Sequence, residues 1–278
     1  MTESKRIVVL KIGGRSLESG AGGPEAQADV LAAEIAMLGA AVVVVHGGGA
    51  EVSAWCERLS IAQRFHEGLR VTDAETLPVA VAVLAGLANK RLVSRLRAAG
   101  LDAVGLSALD GGTIEAERHP LSATLGAVGS VHAVDPTLLE TLLYDGRTPV
   151  IASIGDCDGA LLNLNADDLA SALAAALGAE SLVLLSDTPG LVLGGEVVPR
   201  LDADSLAAAC DHPEVQGGMK PKLNAARAAL AAGVTRVTIA AWSGPGTLRA
   251  LVEGQGGGTT IASAADTAAT PVAEVSHG

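Results

Sequence analysis

The chain reads as an α/β protein built on a mainly parallel sheet covered on both faces, and three observations predict it. Apolar runs of strand length at 7–10, 41–45 and 181–185 lack a polar face, as strands buried from both sides must. Segments of helical periodicity alternate with such runs almost throughout, the pattern of crossover connections between parallel strands. At 278 residues there is ample chain for a large core.

Taken in order, residues 7–10 form a buried strand, and a Gly- and Ser-rich loop at 13–23 leads into a helix over 24–38. A second strand at 41–45 is followed by a glycine turn and a helix ending at Leu59. Thr72 is a good N-cap for a long helix over 73–98, which Gly100 closes. A strand at 103–106 precedes an alternating, glycine-bearing stretch at 111–134 that predicts antiparallel hairpins forming a lid or shoulder. A helix at 136–144, a strand at 149–153 and a helix at 167–177 follow. The theme then repeats: a strand at 181–185, a hairpin at 190–198 turning at Gly194 and Gly195, and helices at 202–210 and 219–232. A strand at 234–240, a short helix from Thr247 and an edge strand at 259–261 complete the order. Residues 263–278 have no periodicity and read as a disordered tail. No low-complexity linker intervenes, so one continuous sheet is expected, divided near residue 178 into halves of 1–178 and 179–262.

Composition narrows the function. Hydrophobic residues make up 49% and mean hydropathy is +0.40, yet charges interrupt the apolar runs. Those runs stop short of the ~20 residues of a membrane helix, which argues for a soluble protein and against a membrane partner. The first six residues run straight into a strand, so no signal peptide is read there. Cys56, Cys157 and Cys210 form no C-x-x-C pair, which suggests reduced thiols, a cytoplasmic setting and no metal ligation. A net charge of −12 argues against nucleic acid as a partner but leaves room for a small anion held by local lysines. Aromatic residues are only 1% of the chain, so the core must be aliphatic and base-stacking platforms are scarce.

Polar residues gather where strands give way to helices, the place where open α/β sheets bind ligands. Lys11 ends the first strand just before Gly13 and Gly14, and either points into a crevice or is solvated at a plain strand end. His46 through Glu51 read as strand, glycine turn and helix start, where the N–H groups around Gly48 and Gly49 can hold an anion. The spacing matches neither a Walker P-loop nor a dinucleotide fingerprint. His46 itself reads as a local hydrogen-bonding residue rather than a base. Arg70, before a helix start, can clamp a carboxylate or lie on the surface. Asn163, Asn165 and Asp167 crowd another strand-to-helix junction, Asn165 with no role beyond shaping the turn. Asp187 and Thr188 follow a further buried strand and hold part of a nucleoside or simply turn the chain. Lys220 and Lys222 sit beside Gly218 in a helix's first turn, where cations are disfavoured unless an anion binds there too. Lysines from both halves, backbone anion sites and one carboxylate suit phosphoryl transfer between two anions.

K-I-G-G at 11–14, H-G-G-G at 46–49, G-L-R-V-T at 68–72, N-L-N-A-D at 163–167 and G-G-M-K-P-K at 217–222 resemble, in that order, the acetylglutamate kinase branch of the amino acid kinase family. The likeness runs over about 6–262 and includes A-G-L-A-N-K at 85–90 and G-G-G-T at 256–259. It implies an open αβα sandwich, N-acetyl-L-glutamate on the N-terminal half and MgATP on the C-terminal half. It further implies that Lys11 and Lys222 stabilise the transferring phosphoryl group while Asp167 holds both lysines. Gly13, Gly14, Gly48, Gly49, Arg70 and Asn163 would bind substrate. Asp187, Thr188, Gly190, Leu191, Val192, Gln216, Gly218 and Lys220 would line the nucleotide pocket, with Mg²⁺ held by phosphates and no protein metal cluster. The first strand begins so early that the extra helix of arginine-inhibited hexamers is not expected, which points to an arginine-insensitive homodimer. Two features also resemble a relative acting on aminoadipate linked to an acidic carrier protein: G-L-S-A-L-D-G at 105–111 and the basic stretch 89–97. The intact G-L-R-V-T and N-L-N-A-D motifs favour the acetylglutamate reading. A non-catalytic amino-acid or nucleotide sensor on the same fold would need no pair of phosphoryl-stabilising lysines. A dinucleotide-dependent oxidoreductase lacks its glycine fingerprint.

Overall fold

The protein, seen in a computed structural model, is described over residues 6–13 and 23–262, with the side chains of the first helix described from Gln27 onward. The expected loop after Gly13, Gly14 within it, and the expected tail at 263–278 lie outside the described residues.

The chain begins with strand β1 (Ile7–Ile12), helix α1 (Gly23–Met37), β2 (Ala41–His46) and α2 (Gly49–Arg58). A small hairpin follows, β3 (Phe65–His66) and β4 (Leu69–Arg70), absent from the sequence reading because each strand is two residues long and carries no alternation. The long helix is real but compound: α3 (Thr76–Val81), a π-helical stretch Ala82–Ala88, and α4 (Asn89–Ala98). Its start corrects the expected cap. Asp73 accepts the Thr76 N–H at 3.0 Å, whereas Thr72 is fully buried and bonded elsewhere. Gly100, with φ of 93°, ends it as expected.

Next come β5 (Ala103–Ser107), β6 (Ile114–Arg118), the single-turn α5 (Ser122–Leu125), β7 (Val128–Val134), α6 (Thr137–Tyr144) and β8 (Thr148–Ala152). The hairpin β9 (Ile154–Cys157) and β10 (Ala160–Leu164) also escaped the sequence reading, although Asp158-Gly159 between apolar runs signals a tight turn. Both turn residues have positive φ, 52° and 77°, as such a turn requires. The remainder is α7 (Ala166–Ala176), β11 (Ser181–Ser186), the hairpin β12 (Val192–Leu193) and β13 (Glu196–Val197), β14 (Arg200–Leu201), α8 (Ala203–Cys210), α9 (Met219–Ala231), β15 (Arg236–Ala241), α10 (Thr247–Val252) and β16 (Thr259–Ala262).

One eight-stranded sheet runs through both halves in the order β14-β16-β15-β11-β1-β2-β8-β5. Its pairings are parallel apart from β15 with β16. β16 is therefore not an edge strand as expected, because β14 pairs along its outer side. A second sheet, β6-β7-β10-β9, forms the expected shoulder.

Strand alternation decides which side chains reach which layer. Val9, Val43, Val45, Leu182 and Leu184 pack with Leu169 and Leu173 of α7 and Leu223 and Ala226 of α9. Val8, Leu10, Val42, Val44 and Val183 pack on the other face with Leu31 and Ile35 of α1, Leu96 of α4 and Leu251 of α10. This is a three-layer αβα sandwich. By the same alternation Lys11 faces the α7/α9 layer and His46 the α1/α4 layer.

By length and composition alone, the helix Thr76–Ala98 is apolar enough to cross a membrane. Its uncharged run ends at Lys90, however, and its basic residues are tied into the fold. Arg91 pairs with Glu51 at 2.6 Å, Arg95 with Asp29 at 3.1 Å and Arg97 with Asp102 at 2.9 Å.

Candidate active site

Three charged side chains from three elements meet above the C-terminal end of β1. The Lys11 ammonium lies 2.8 Å from Asp167 Oδ1, and the Lys222 ammonium lies 3.1 Å from Asp167 Oδ2. Lys222 also donates to the Gly218 carbonyl at 3.3 Å, which holds it at the head of α9. All three side chains are nearly removed from solvent, 7% exposed for Lys11, 8% for Asp167 and 12% for Lys222. Burial by itself would raise the Asp167 carboxyl, but the two ammonium groups outweigh it and hold the acid below its ordinary range. Burial, reinforced by Lys222, pushes Lys11 below the usual lysine value against the pull of Asp167. Two cations share one anion here, so the cluster carries surplus positive charge that an incoming phosphoryl group would neutralise.

Asp167 is placed by the residue to which the sequence assigned no role. Asn165 is the N-cap of α7, its side-chain oxygen accepting the N–H groups of Asp167 at 2.8 Å and Asp168 at 3.2 Å. The signal was available in the sequence, since an Asn two residues before an Asp at a helix start is a capping pattern.

The glycine turn lies beside this cluster. Gly48 caps α2, and a methyl group added to it would fall 2.7 Å from Leu84 Cδ2. Among the described residues neither Gly48 nor Gly49 gives its N–H to a protein acceptor, and both glycines line the cleft. Arg70 stands at the same rim. It donates to Gln63 Oε1 at 2.8 Å and to the Gly49 carbonyl and Ser53 Oγ at 2.7 Å each, with the Phe65 ring 4.8 Å away. Asn163 donates to Thr72 Oγ1 at 3.0 Å, and that hydroxyl donates to the Arg70 carbonyl at 3.2 Å. Thr72 thus links Asn163 to Arg70, a contact across 91 residues that no local pattern reveals.

A cleft of about 360 Å³ joins these groups and is lined from both halves, Lys11, Gly13, Gly49, Arg70 and Asn163 on one side and Asp187, Gly218 and Lys222 on the other. That volume falls in the usual range for small-molecule sites. The remaining residues assigned to a nucleotide lie outside this lining. Leu191 is buried in the core at 1% exposure and Val192 sits on β12. Gly190 packs against Thr259, where an added Cβ would lie 2.8 Å from the hydroxyl and 2.9 Å from the backbone nitrogen. Thr188 turns its N–H toward Ser186, Gln216 donates to the Pro213 carbonyl at 3.0 Å, and Lys220 is exposed. Among the described residues no three His, Cys, Asp or Glu side chains cluster as metal ligands.

His46 does not reach the cluster of lysines. Asn89 Nδ2 lies 3.1 Å from its Nε2, and its Nδ1 lies 2.9 Å from the Gly47 carbonyl. Burial holds the imidazole below its ordinary value.

Residues 6–241 match the amino acid kinase family. The acetylglutamate kinase of Methanopyrus kandleri is 43% identical over 224 residues, covering 77% of this chain and 89% of that protein. The acetylglutamate kinase of Solibacter usitatus is 40% identical over 259 residues, covering 92% of this chain and 99% of that protein. Among solved structures, N-acetylglutamate synthase from Neisseria gonorrhoeae in complex with coenzyme A and N-acetyl-glutamate superposes with a TM-score of 0.78 at 26% identity. That match covers 92% of this chain and 59% of the longer one. With the family match and relatives of this similarity both running over most of its length, the chain belongs to the amino acid kinase family.

Proposed function

We propose that the chain transfers the γ-phosphoryl group of MgATP to the side-chain carboxylate of N-acetyl-L-glutamate, giving N-acetyl-L-glutamyl 5-phosphate and ADP in arginine biosynthesis. The observation that carries this reading is a cleft in which two lysines from opposite halves are held by one carboxylate, so that neither Asp167 nor His46 is left to act as a general base there. Asp167 is saturated by two ammonium groups, and His46 is bonded on the far face of the sheet. An alcohol acceptor would need a base to take its proton. A carboxylate is already ionised at neutral pH and needs none. Its oxygen forms the new bond to the γ-phosphorus as the bond to the β–γ bridging oxygen breaks, and no proton moves. Lys11 from the acceptor side and Lys222 from the donor side would then offset the charge shared by the two anions, which is most of what such a transfer asks of a protein.

Gly48 and Gly49 are suited to the acceptor's anionic end, and Arg70 and Asn163 to its other polar groups. Gly13 and Gly14 would flank the acceptor beside Lys11. Asp187, Gly218 and Lys220 would meet the nucleotide, with Thr188, Gly190, Leu191, Val192 and Gln216 forming the wall behind them. Mg²⁺ fits this donor set only as a companion of the phosphates, with Asp187 the cleft carboxylate not already held by two lysines. There it would neutralise phosphate charge.

The paired basic residues of α4 favour the free acyl amino acid over an acidic carrier protein, because Arg91, Arg95 and Arg97 already have acidic partners within the chain. A homodimer is part of the same proposal, supported by the exposed small and apolar residues Ala82, Gly86 and Leu87 on the π-helical stretch. So is a cytoplasmic setting, supported by three cysteines that remain free thiols. An ATP-dependent hydroxamate assay tests the central claim by comparing N-acetylglutamate, N-acetylaspartate, N-acetylaminoadipate and free glutamate. Preference for N-acetylglutamate is expected, and no turnover with any of them would remove the reading.

A further inference from the structure

Behind the glycine turn, on the sheet face opposite the lysine cluster, lies a polar chain, buried at His46 and Asn89 and reaching the surface at Lys90, that the proposed chemistry does not use. Lys90 Nζ donates to Asn89 Oδ1 at 3.0 Å, Asn89 Nδ2 lies 3.1 Å from His46 Nε2, and His46 Nδ1 lies 2.9 Å from the Gly47 carbonyl. Asn89 is 0% exposed and His46 4%. The two ends of this chain orient the groups between them, the two Asn89 amide hydrogens being shared among His46 Nε2 and two backbone carbonyls. A lysine ammonium can only donate, so it takes the amide oxygen and turns the Asn89 NH₂ toward His46. A backbone carbonyl can only accept, so His46 Nδ1 must carry the hydrogen and Nε2 must be the acceptor. Asn89 Nδ2 also lies 2.9 Å from the Val150 carbonyl and 3.2 Å from that of Leu106, both acceptors only, which requires the same orientation of the amide.

The geometry points to His46 and Asn89 as positioning residues for the anion-binding turn. Asn89 locks His46 as the Nδ1–H tautomer, and that N–H ties the Gly47 carbonyl to its own side of the turn, leaving the N–H groups of Gly48 and Gly49 facing the cleft. Asn89 stands where the π-helical stretch returns to α-helix, and Leu84 from that stretch covers Gly48. One helix therefore presses on the turn with a side chain and holds it through a histidine. Single π-turns inserted in α-helices recur at functional sites.

This inference rests on the reading that the turn binds the acceptor's anionic end, and two measurements separate its failure from that of the reading. The first needs no substrate. ¹⁵N-resolved NMR of histidine in the wild-type protein is expected to report His46 as the Nδ1–H tautomer, and an Nε2–H tautomer would overturn the chain of bonds. The second compares His46→Phe with His46→Asn. The phenylalanine keeps ring volume but donates nothing to Gly47, whereas the asparagine can donate from about the position of Nδ1. His46→Phe is expected to raise KM for the carboxylate acceptor about tenfold, the size of one hydrogen bond to a charged group, with KM for ATP little changed. His46→Asn should recover most of that loss. Equal rises in both KM values, or no rescue by asparagine, would reduce His46 to ordinary core packing. A wild-type protein without acceptor turnover would sink the proposed function and leave the NMR result standing.

Discussion

The side-chain oxygen of Asn165 accepts the backbone N–H of Asp167 at 2.8 Å, so the bond that starts α7 also sets the carboxylate lying between two lysines. A helix cap and a catalytic anchor share one residue pair. Asn165→Ala should cost about 1 kcal/mol of stability, typical of a lost N-cap, and lower kcat as Asp167 loosens. Asn165→Ser should restore the cap and most of the activity. Urea unfolding alongside steady-state kinetics checks both, and an alanine variant with normal kcat would separate capping from catalysis.

Removing the shared anion should be far more severe. Asp167→Asn leaves the Lys11 and Lys222 ammonium groups facing each other with little solvent to screen them. Breaking a buried ion pair from one side typically costs roughly 3–5 kcal/mol, because the partner charge stays behind. Adding Lys11→Met to Asp167→Asn removes one of the stranded charges and should recover stability without recovering turnover. A double variant no more stable than Asp167→Asn would show that repulsion is not the cause.

Acid should reveal the same group. The Asp167 carboxyl is held below its ordinary range in the folded protein, so its ionised form stabilises the fold. That contribution is complete above the unfolded-state value of about pH 4, and it is lost as pH falls through the lower folded value. Asp73, Asp135 and Asp202 are lowered too, by their capping bonds to Thr76, Thr137 and Ser205, so acid unfolding is a sum of several groups. The difference between wild-type and Asp167→Asn stability should therefore shrink as pH drops below about 4. A difference independent of pH in that range would count against an ionised Asp167.

Most of the sandwich was legible because buried parallel strands leave unbroken apolar runs and helices leave their own period. What escaped has physical reasons. β3 and β4 are too short for a period to show, and the π-helical stretch has the same Ala, Val and Leu composition as the α-helix around it. Thr72 looked like a cap because residue type alone cannot tell a helix start from a buried hydroxyl serving Asn163 across the fold. The convergence of Lys11, Asp167 and Lys222 was inferred from strand-to-helix junctions and motif likeness. Its cause is visible only in the register: odd positions of β1 face α7 and α9.

The two first-turn lysines of α9 should separate cleanly. Lys222 is 12% exposed and bonded to Asp167, whereas Lys220 is exposed and lies outside the cleft lining. Lys222→Ala should abolish most turnover. Lys220→Ala should at most raise KM for ATP, with kcat preserved. Activity assays over a range of ATP concentrations decide between them, and the reverse pattern would transfer the phosphoryl-stabilising role to Lys220.

Asp168 offers a test of opposite sign. Although Asp168 reaches the surface, partial removal of its carboxyl from water, with the neighbouring Asp167 charge, pushes it up to about 6. An acid raised on folding binds its proton more tightly in the folded state than in the unfolded chain. Its ionised form is thus a burden that is full above pH 6 and disappears as pH falls toward about 4. The positive end of α7 works the other way, since first-turn carboxylates there are favoured by the helix dipole. The residue also keeps contact with water, which limits the net effect to less than about 1 kcal/mol. If burial and Asp167 prevail, Asp168→Asn should be more stable than the wild type at pH 8 and nearly equal to it at about pH 4. Urea unfolding at the two pH values resolves the sign. A variant less stable at pH 8 would mean that the helix dipole outweighs the repulsion, and that Asp168 serves α7 as an ordinary N-terminal anion.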